Sequence, residues 1–388
     1  MSFEISDTQQ AVITGISDVC ARFDDRYWLD RDTDGEFPHA FHEALAEAGW
    51  LGITMPSEFG GSGLGLTEAA LMMRTIAASG GALAAASSVH INLFGPHPIV
   101  VHGTNDQKAA WLPRLIQGRD KTCFGVTEPN AGLDTSRITT LAERVGDGWV
   151  VSGQKIWTST AQVANKIMLL ARTSPRSDGA RPHDGLTLFY TDLDRRYVEV
   201  REIAKMGRKA VDSNQVFIDR LPIPDSHRIG EVGRGFSYIL DSLNPERVLI
   251  AMEAIGIGRD AVRRACDYAR DRVVFDRAIG QNQSIQHPLA ESWMELEAAD
   301  LMAQRAAWAY DRGQPAGADA NAAKYLAAEA AMKACITAVK TLGGMGYAKE
   351  FHVERLLREA MIPLLAPVSG QMILNYISER VLGLPKSY

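Results

Sequence analysis

The chain is short of the features that would assign it to a specialised class. Only four cysteines occur, at positions 20, 123, 266 and 335, and none forms a CxxC pair or a spacing that suggests a disulfide framework or zinc site. A formal charge of −6 is too weak to argue for a dedicated nucleic-acid surface, although local arginine clusters could still hold an anion. No apolar run reads as long enough to cross a bilayer. The opening MSFEISDTQQ is polar and acidic where a secretory leader needs a basic and then an apolar stretch. A cytoplasmic protein without a membrane span is therefore expected. The nine histidines are scattered, and only His39 and His42 stand at i and i+3, so solvated histidines are expected rather than a metal site. The glycine-rich pieces GGSGLG (60–65) and LGGMGY (342–347) do not lie between a strand and a helix, which rejects a nicotinamide fingerprint.

What remains is the composition of an ordinary globular enzyme, 46% apolar and 23% charged, on a chain long enough for two or three domains enclosing a large cofactor. Helical spacing dominates 1–121, as in Phe41, Leu45, Ala48 and Leu51. Short β-branched and aromatic runs then occupy 122–232: Trp149 to Val151, Ile167 to Ala171, Leu186 to Tyr190 and Val216 to Ile218. No long helix separates them, which predicts an antiparallel sandwich or barrel. Helical periodicity returns over 233–388, with helices expected at about 285–312, 318–342, 350–361 and 370–382. The fold class expected is α+β multidomain: a helical domain, a β domain and a C-terminal four-helix bundle. Arg263, Arg264 and Arg270 read as a solvated helix face.

Two segments carry chemistry. TEPNAG follows Phe124-Gly125-Val126 at the handover from helices to sheet, and its small and hydroxyl residues expose backbone donors that a flavin ring could use. Taken alone it reads more readily as an ordinary interdomain turn. GQKIWTST (153–160) places a tryptophan between hydroxyls; a strand tryptophan is usually core, but this one could cover a flavin face.

Together with Met206-Gly207-Arg208, RVVFDRAIGQNQSIQ (272–286), LGGMGY and their spacing, these segments make the chain resemble the acyl-CoA dehydrogenases over nearly its whole length. The resemblance implies FAD, an acyl-CoA substrate, an electron-transfer flavoprotein as acceptor, a role in lipid β-oxidation, and a homotetramer or homodimer. It implies that Phe124, Val126, Thr127, Gly132, Trp157 and Ser159 line the flavin. Across a subunit interface, Arg272, Phe275, Gln283, Lys340, Gly343 and Gly344 would hold the FAD tail, and Ser369 and Gln371 would also touch the cofactor. Leu133 and Arg247 fall at substrate positions. Lys340 replaces a glutamine, and Leu133 a serine, of the family pattern.

The resemblance also exposes a departure. Where many members carry the catalytic glutamate, REAMIPLLAPVSGQMI (358–373) places Pro367, which is no base and has no N–H to offer a thioester carbonyl. A minority of the family carries the glutamate earlier, before an arginine, and Asn244-Pro245-Glu246-Arg247 matches that pattern. Glu246 is thus the expected base for α,β-desaturation to a trans-2-enoyl-CoA, with Glu253, seven residues on, as the fallback. The bland alternative is that Pro245 and Glu246 simply open a helix. Val368 or a flavin hydroxyl could compensate for the missing donor. The rival functions are a flavin oxidase or monooxygenase on the same fold, and a non-catalytic acyl-CoA or flavin-binding scaffold.

Overall fold

The computed structural model describes residues 4–175 and 181–387, so residues 1–3 of the opening segment lie outside it. Helices come first: α1 (Asp7–Cys20), α2 (Asp25–Asp34), α3 (His39–Glu47), α4 (Leu66–Ile76), α5 (Ala82–Phe94), α6 (His97–His102) and α7 (Asn105–Ile116). Their starts follow from local chemistry. Ser6 with Gln9 and Thr104 with Gln107 form capping boxes that satisfy first-turn N–H groups of α1 and α7.

Strands follow: β1 (Thr122–Gly125), β2 (Leu141–Val145), β3 (Gly148–Ser159), β4 (Lys166–Arg172), β5 (Leu186–Asp192), β6 (Val198–Glu202), β7 (Ser213–Pro224) and β8 (Arg228–Ile229). They form one sheet in the order β6-β7-β3-β2-β4-β5-β8, with β1 beside β4. The expectation of a wholly antiparallel sheet needs correction. β1 runs parallel to β4, Thr122 facing Lys166, and β2 meets β4 in parallel at Leu141 and Arg172. A parallel return needs a long connection, and here the β2–β3 hairpin supplies it in place of a helix.

The unbroken apolar run of β4 has a simple cause, since both of its faces are covered. Ile167, Leu169 and Ala171 join one cluster with Trp149 and Phe189. Met168 and Leu170 face the other way, onto Trp111, Leu112 and Leu115 of α7. The sheet is thereby clamped against the N-terminal helices along the edge where β1 emerges.

The C-terminal part holds α8 (Gly235–Asp271), a small β9–β10 hairpin (Val273–Val274 and Arg277–Ala278), α9 (Gln283–Asp311), α10 (Gly317–Leu342), α11 (Val353–Leu365) and α12 (Gly370–Tyr376). One core joins both helical parts, with Phe41, Leu45, Met72 and Leu83 packed in the same cluster as Leu249, Ile255, Ala303 and Leu356. Two expectations change in this region. Pro245 does not open a helix, because α8 begins ten residues earlier and runs through it, drawn past by apolar Phe236, Ile239 and Leu243 at helical spacing. Arg264 is not solvated: its guanidinium pairs with Asp25 of α2 at 2.5 Å and with Asp260 at 2.9 Å, tying α8 to the N-terminal helices.

Two helical stretches do have the length and apolarity to cross a membrane, Leu66–His102 and Val353–Val381. The first is mostly buried inside the protein, and the second is interrupted by non-helical backbone between α11 and α12. His42 is also buried rather than solvated, and its Nε2 meets the Asn92 side-chain amide at 3.2 Å.

Candidate active site

The loop after β1 is held from behind by a buried ion pair. Lys155, on β3, donates to Glu128 at 2.8 Å and to the Val126 carbonyl at 3.1 Å. Glu128 also accepts the backbone N–H groups of Thr139 and Thr140 at 2.6 and 2.9 Å, together with both threonine hydroxyls. Burial alone would raise the Glu128 carboxyl, but Lys155 and these donors hold it down at about 2. Burial draws the Lys155 ammonium down to about 8 against the pull of Glu128, so both groups are charged near neutrality. The Ile156 N–H donates to the Thr127 carbonyl at 2.9 Å, and Glu128 and Ala131 exchange backbone hydrogen bonds. The conformation of TEPNAG is thus imposed from its concealed side, and its other side faces a cleft.

Trp157 shows what β3 does at that cleft. The β3–β7 register slips between Lys155 and Thr158, a bulge that turns Trp157 to φ 59° and leaves it 58% exposed. A positive φ is unfavourable for a bulky residue and bulges re-aim side chains, so the usual core role of a strand tryptophan is excluded here. Its ring lies along the cleft wall beside Thr127 and Ser159.

The cleft has a volume of about 390 Å³, enough for a small-molecule group. It gathers Phe124, Val126, Thr127, Gly132, Leu133, Trp157 and Ser159 from the sheet side and Glu246 from α8. Glu246 is half-buried and its carboxylate has no hydrogen-bond partner among the described residues. Burial raises that carboxyl to about 7 against the charges of His90 and Arg247, with Glu253 adding to the rise. A free carboxylate poised near neutrality suits proton abstraction. The fallback Glu253 is fully buried and engaged by His90 Nδ1, which leaves it no open approach.

The other expected residues lie elsewhere. Arg272, Phe275, Gln283, Lys340, Gly343, Gly344 and Gln371 are exposed and line none of this cleft. Ser369 caps α12 by accepting from the Met372 N–H at 3.4 Å. Arg247 is half-buried, is not among the cleft's lining residues, and donates to Asn244 at 2.9 Å. Pro367 and Val368 do reach the cleft; the buried Lys324 ammonium grips the Val368 carbonyl at 2.6 Å and the Val368 N–H has no partner among the described residues. Ser87, His90 and Arg208 also line it, with no role foreseen for them. Met206-Gly207-Arg208 had marked the region of Arg208; nothing in the sequence marked His90, because its partner lies 163 residues away.

The donor set fits a flavin ring. The Thr127 hydroxyl is without a partner among the described residues, Ser159 offers a second hydroxyl, and nothing lies within 4 Å of where a Cβ on Gly132 would project. A larger hollow of about 590 Å³ between α1 and α8 is a poorer candidate, since its Arg74, Arg259 and Arg264 are already paired with acids.

A helical–sheet–helical chain whose parts meet at a cleft lined by hydroxyls and an exposed tryptophan has the arrangement that a flavin-dependent oxidoreductase needs. The sequence matches the acyl-CoA dehydrogenase N-terminal domain over residues 6–119, the middle domain over 123–221 and the C-terminal domain over 233–382. The chain belongs to the acyl-CoA dehydrogenase family, whose members are FAD-dependent oxidoreductases. It is 35% identical to acyl-CoA dehydrogenase FadE12 of Mycobacterium tuberculosis, over 100% of this chain and 99% of that protein. It is 34% identical to the benzylmalonyl-CoA dehydrogenase of Aromatoleum aromaticum, over 98% of this chain and 100% of that one. Among solved structures, the butyryl-CoA dehydrogenase of Megasphaera elsdenii matches with a TM-score of 0.93 at 28% identity, covering 98% of this chain and 100% of the other.

Proposed function

We propose that the protein desaturates an acyl-CoA thioester between Cα and Cβ, with Glu246 removing the α proton. The observation that carries this reading is the unpartnered Glu246 carboxylate facing the same cleft as Thr127, Trp157 and Ser159. FAD, when bound there, supplies the acceptor for the β hydride. Thr127 and Ser159 would hold the ring through their hydroxyls, and Trp157 would cover one face of it. Phe124, stacked edge-on to Phe94 at 5.3 Å, and Ile250 exclude water from the reacting carbons.

Pro367 supplies no hydrogen bond to the thioester carbonyl, and the free Val368 N–H, one residue on and steadied by Lys324, takes that part. Arg247 serves the CoA moiety. The exposed set around Phe275, itself 93% exposed, serves the tail of FAD bound by a second copy of the chain in a homotetramer or homodimer. An electron-transfer flavoprotein receives the electrons, in a cytoplasmic setting. Reconstitution with FAD followed by anaerobic addition of saturated acyl-CoAs tests the reading. Bleaching of the flavin with formation of an enoyl-CoA is expected. A protein that takes up no flavin, or one whose flavin no thioester bleaches, contradicts it.

A further inference from the structure

The inner wall of the cleft carries a positive charge that the protein leaves unmatched. Arg208 donates to Ser87 Oγ at 3.2 Å, Ser159 Oγ at 2.9 Å and Ser213 Oγ at 3.0 Å, and all three partners are neutral hydroxyls. Its Nε is buried with no partner, and it joins no ion pair among the described residues. The acids whose fields reach it are engaged elsewhere. Glu359 accepts the Ala84 N–H at 2.9 Å, Asp212 accepts the Gln162 N–H at 3.0 Å and the Asn214 amide, and Glu253 holds His90. Arg208 also sits at φ 54°, a left-handed conformation that non-glycine residues adopt rarely, and from there its side chain reaches the cleft. A desolvated guanidinium without an anion is costly, so this arrangement is best explained by an anion that arrives with a ligand.

His90 stands beside it. Its Nδ1 is taken by Glu253, which outweighs burial and favours the imidazolium, while its Nε2 has no partner among the described residues. Ser87, Arg208 and His90 thus form a donor-rich patch on the α5 side of the cleft; Phe94, Phe236, Ile239 and Leu243 add apolar surface, and Glu246, whose charge acts on His90, lines the same cleft. An unsubstituted alkyl chain would bury this patch against hydrocarbon and leave its donors unmet.

We propose that Arg208 and His90 form a carboxylate subsite, so that the acyl group is short and ends in a carboxylate. This rests on the desaturation reading only for the identity of the thioester; the anion subsite itself is argued from the unmatched guanidinium. Arg208 is a specificity residue here, pairing with the distal carboxylate through the Nη1 N–H that Ser87 leaves free while Glu246 acts on the α carbon.

The test compares succinyl- and glutaryl-CoA with butyryl- and pentanoyl-CoA on the FAD-loaded protein, reading kcat/KM from flavin bleaching. A site built for a charged partner should favour the carboxylate-bearing thioesters by about 100-fold or more. Arg208→Gln should bring that ratio near one, and Arg208→Lys should restore part of it. An alkyl preference in the wild type, or a ratio that Arg208→Gln leaves intact, overturns the proposal. So does loss of flavin from both variants at FAD concentrations that saturate the wild type, since Arg208 would then be holding the cofactor. If no thioester bleaches the flavin, the desaturation reading falls, and the same ratio taken from calorimetric Kd values still decides for or against the subsite.

Discussion

Replacing Glu246 by glutamine should stabilise the protein while disabling it. Burial lifts this carboxyl from an ordinary 4.5 to about 7, which corresponds to about 3 kcal/mol of disfavour for the charged form. The folded-state value is raised above the unfolded one, so the contribution of Glu246 to stability is fully present below about 4.5 and is lost as pH rises through about 7. His90, Arg247 and Glu253 act on the same carboxyl, so the absolute pH dependence mixes several groups. The difference between wild type and Glu246→Gln isolates the one removed. Denaturant titrations of the two FAD-loaded proteins at a series of pH values should show the variant gaining relative to wild type by about 3 kcal/mol from pH 4.5 to 8.5. A difference that stays constant across that range would refute the reasoning, because it would mean that Glu246 is solvated when folded.

Other consequences follow from the same contacts. Glu128→Gln leaves the Lys155 ammonium buried without its anion and should destabilise by about 3 kcal/mol in chemical denaturation, whereas Glu199→Gln, which breaks an exposed pair with Arg201, should leave the denaturation midpoint unchanged. On the proposed role of Glu246 as the base, which requires the ionised carboxylate, kcat/KM should fall as pH drops below about 7, and Glu246→Asp should keep a pH-dependent residue of activity where Glu246→Gln does not. Trp157→Ala should weaken FAD binding by about tenfold in a fluorescence titration with the secondary structure unchanged in circular dichroism, because the exposed ring packs on nothing that the fold requires.

The parts of this account legible in the sequence are those set by short-range pattern. The apolar run of β4, the turn at Gly146-Asp147-Gly148 before β3 and the long apolar stripe of α8 each announce their element. Residues 124–134 and 153–159 were recognisable as cleft wall once taken together, and both do reach the cleft. What could not be read depends on distant partners. The parallel β1–β4 pairing is chosen by which faces the helices cover, not by either strand's own residues. Pro245 looked like a helix start because its local signal is that of a first turn, and only the packing of the preceding turns overrides it. His90 carries no local mark and Arg208 only that of the Met206-Gly207-Arg208 block, and their meaning comes from Glu253 and from three serines contributed by separate segments.

The central claim is that one carboxylate on α8, and not the residue at 367, takes the α proton. It is tested most directly by anaerobic stopped-flow mixing of an accepted acyl-CoA with FAD-loaded wild type and Glu246→Gln. Flavin bleaching should slow by about 10³-fold in the variant while the thioester still binds. Equal bleaching rates in the two proteins would contradict the account.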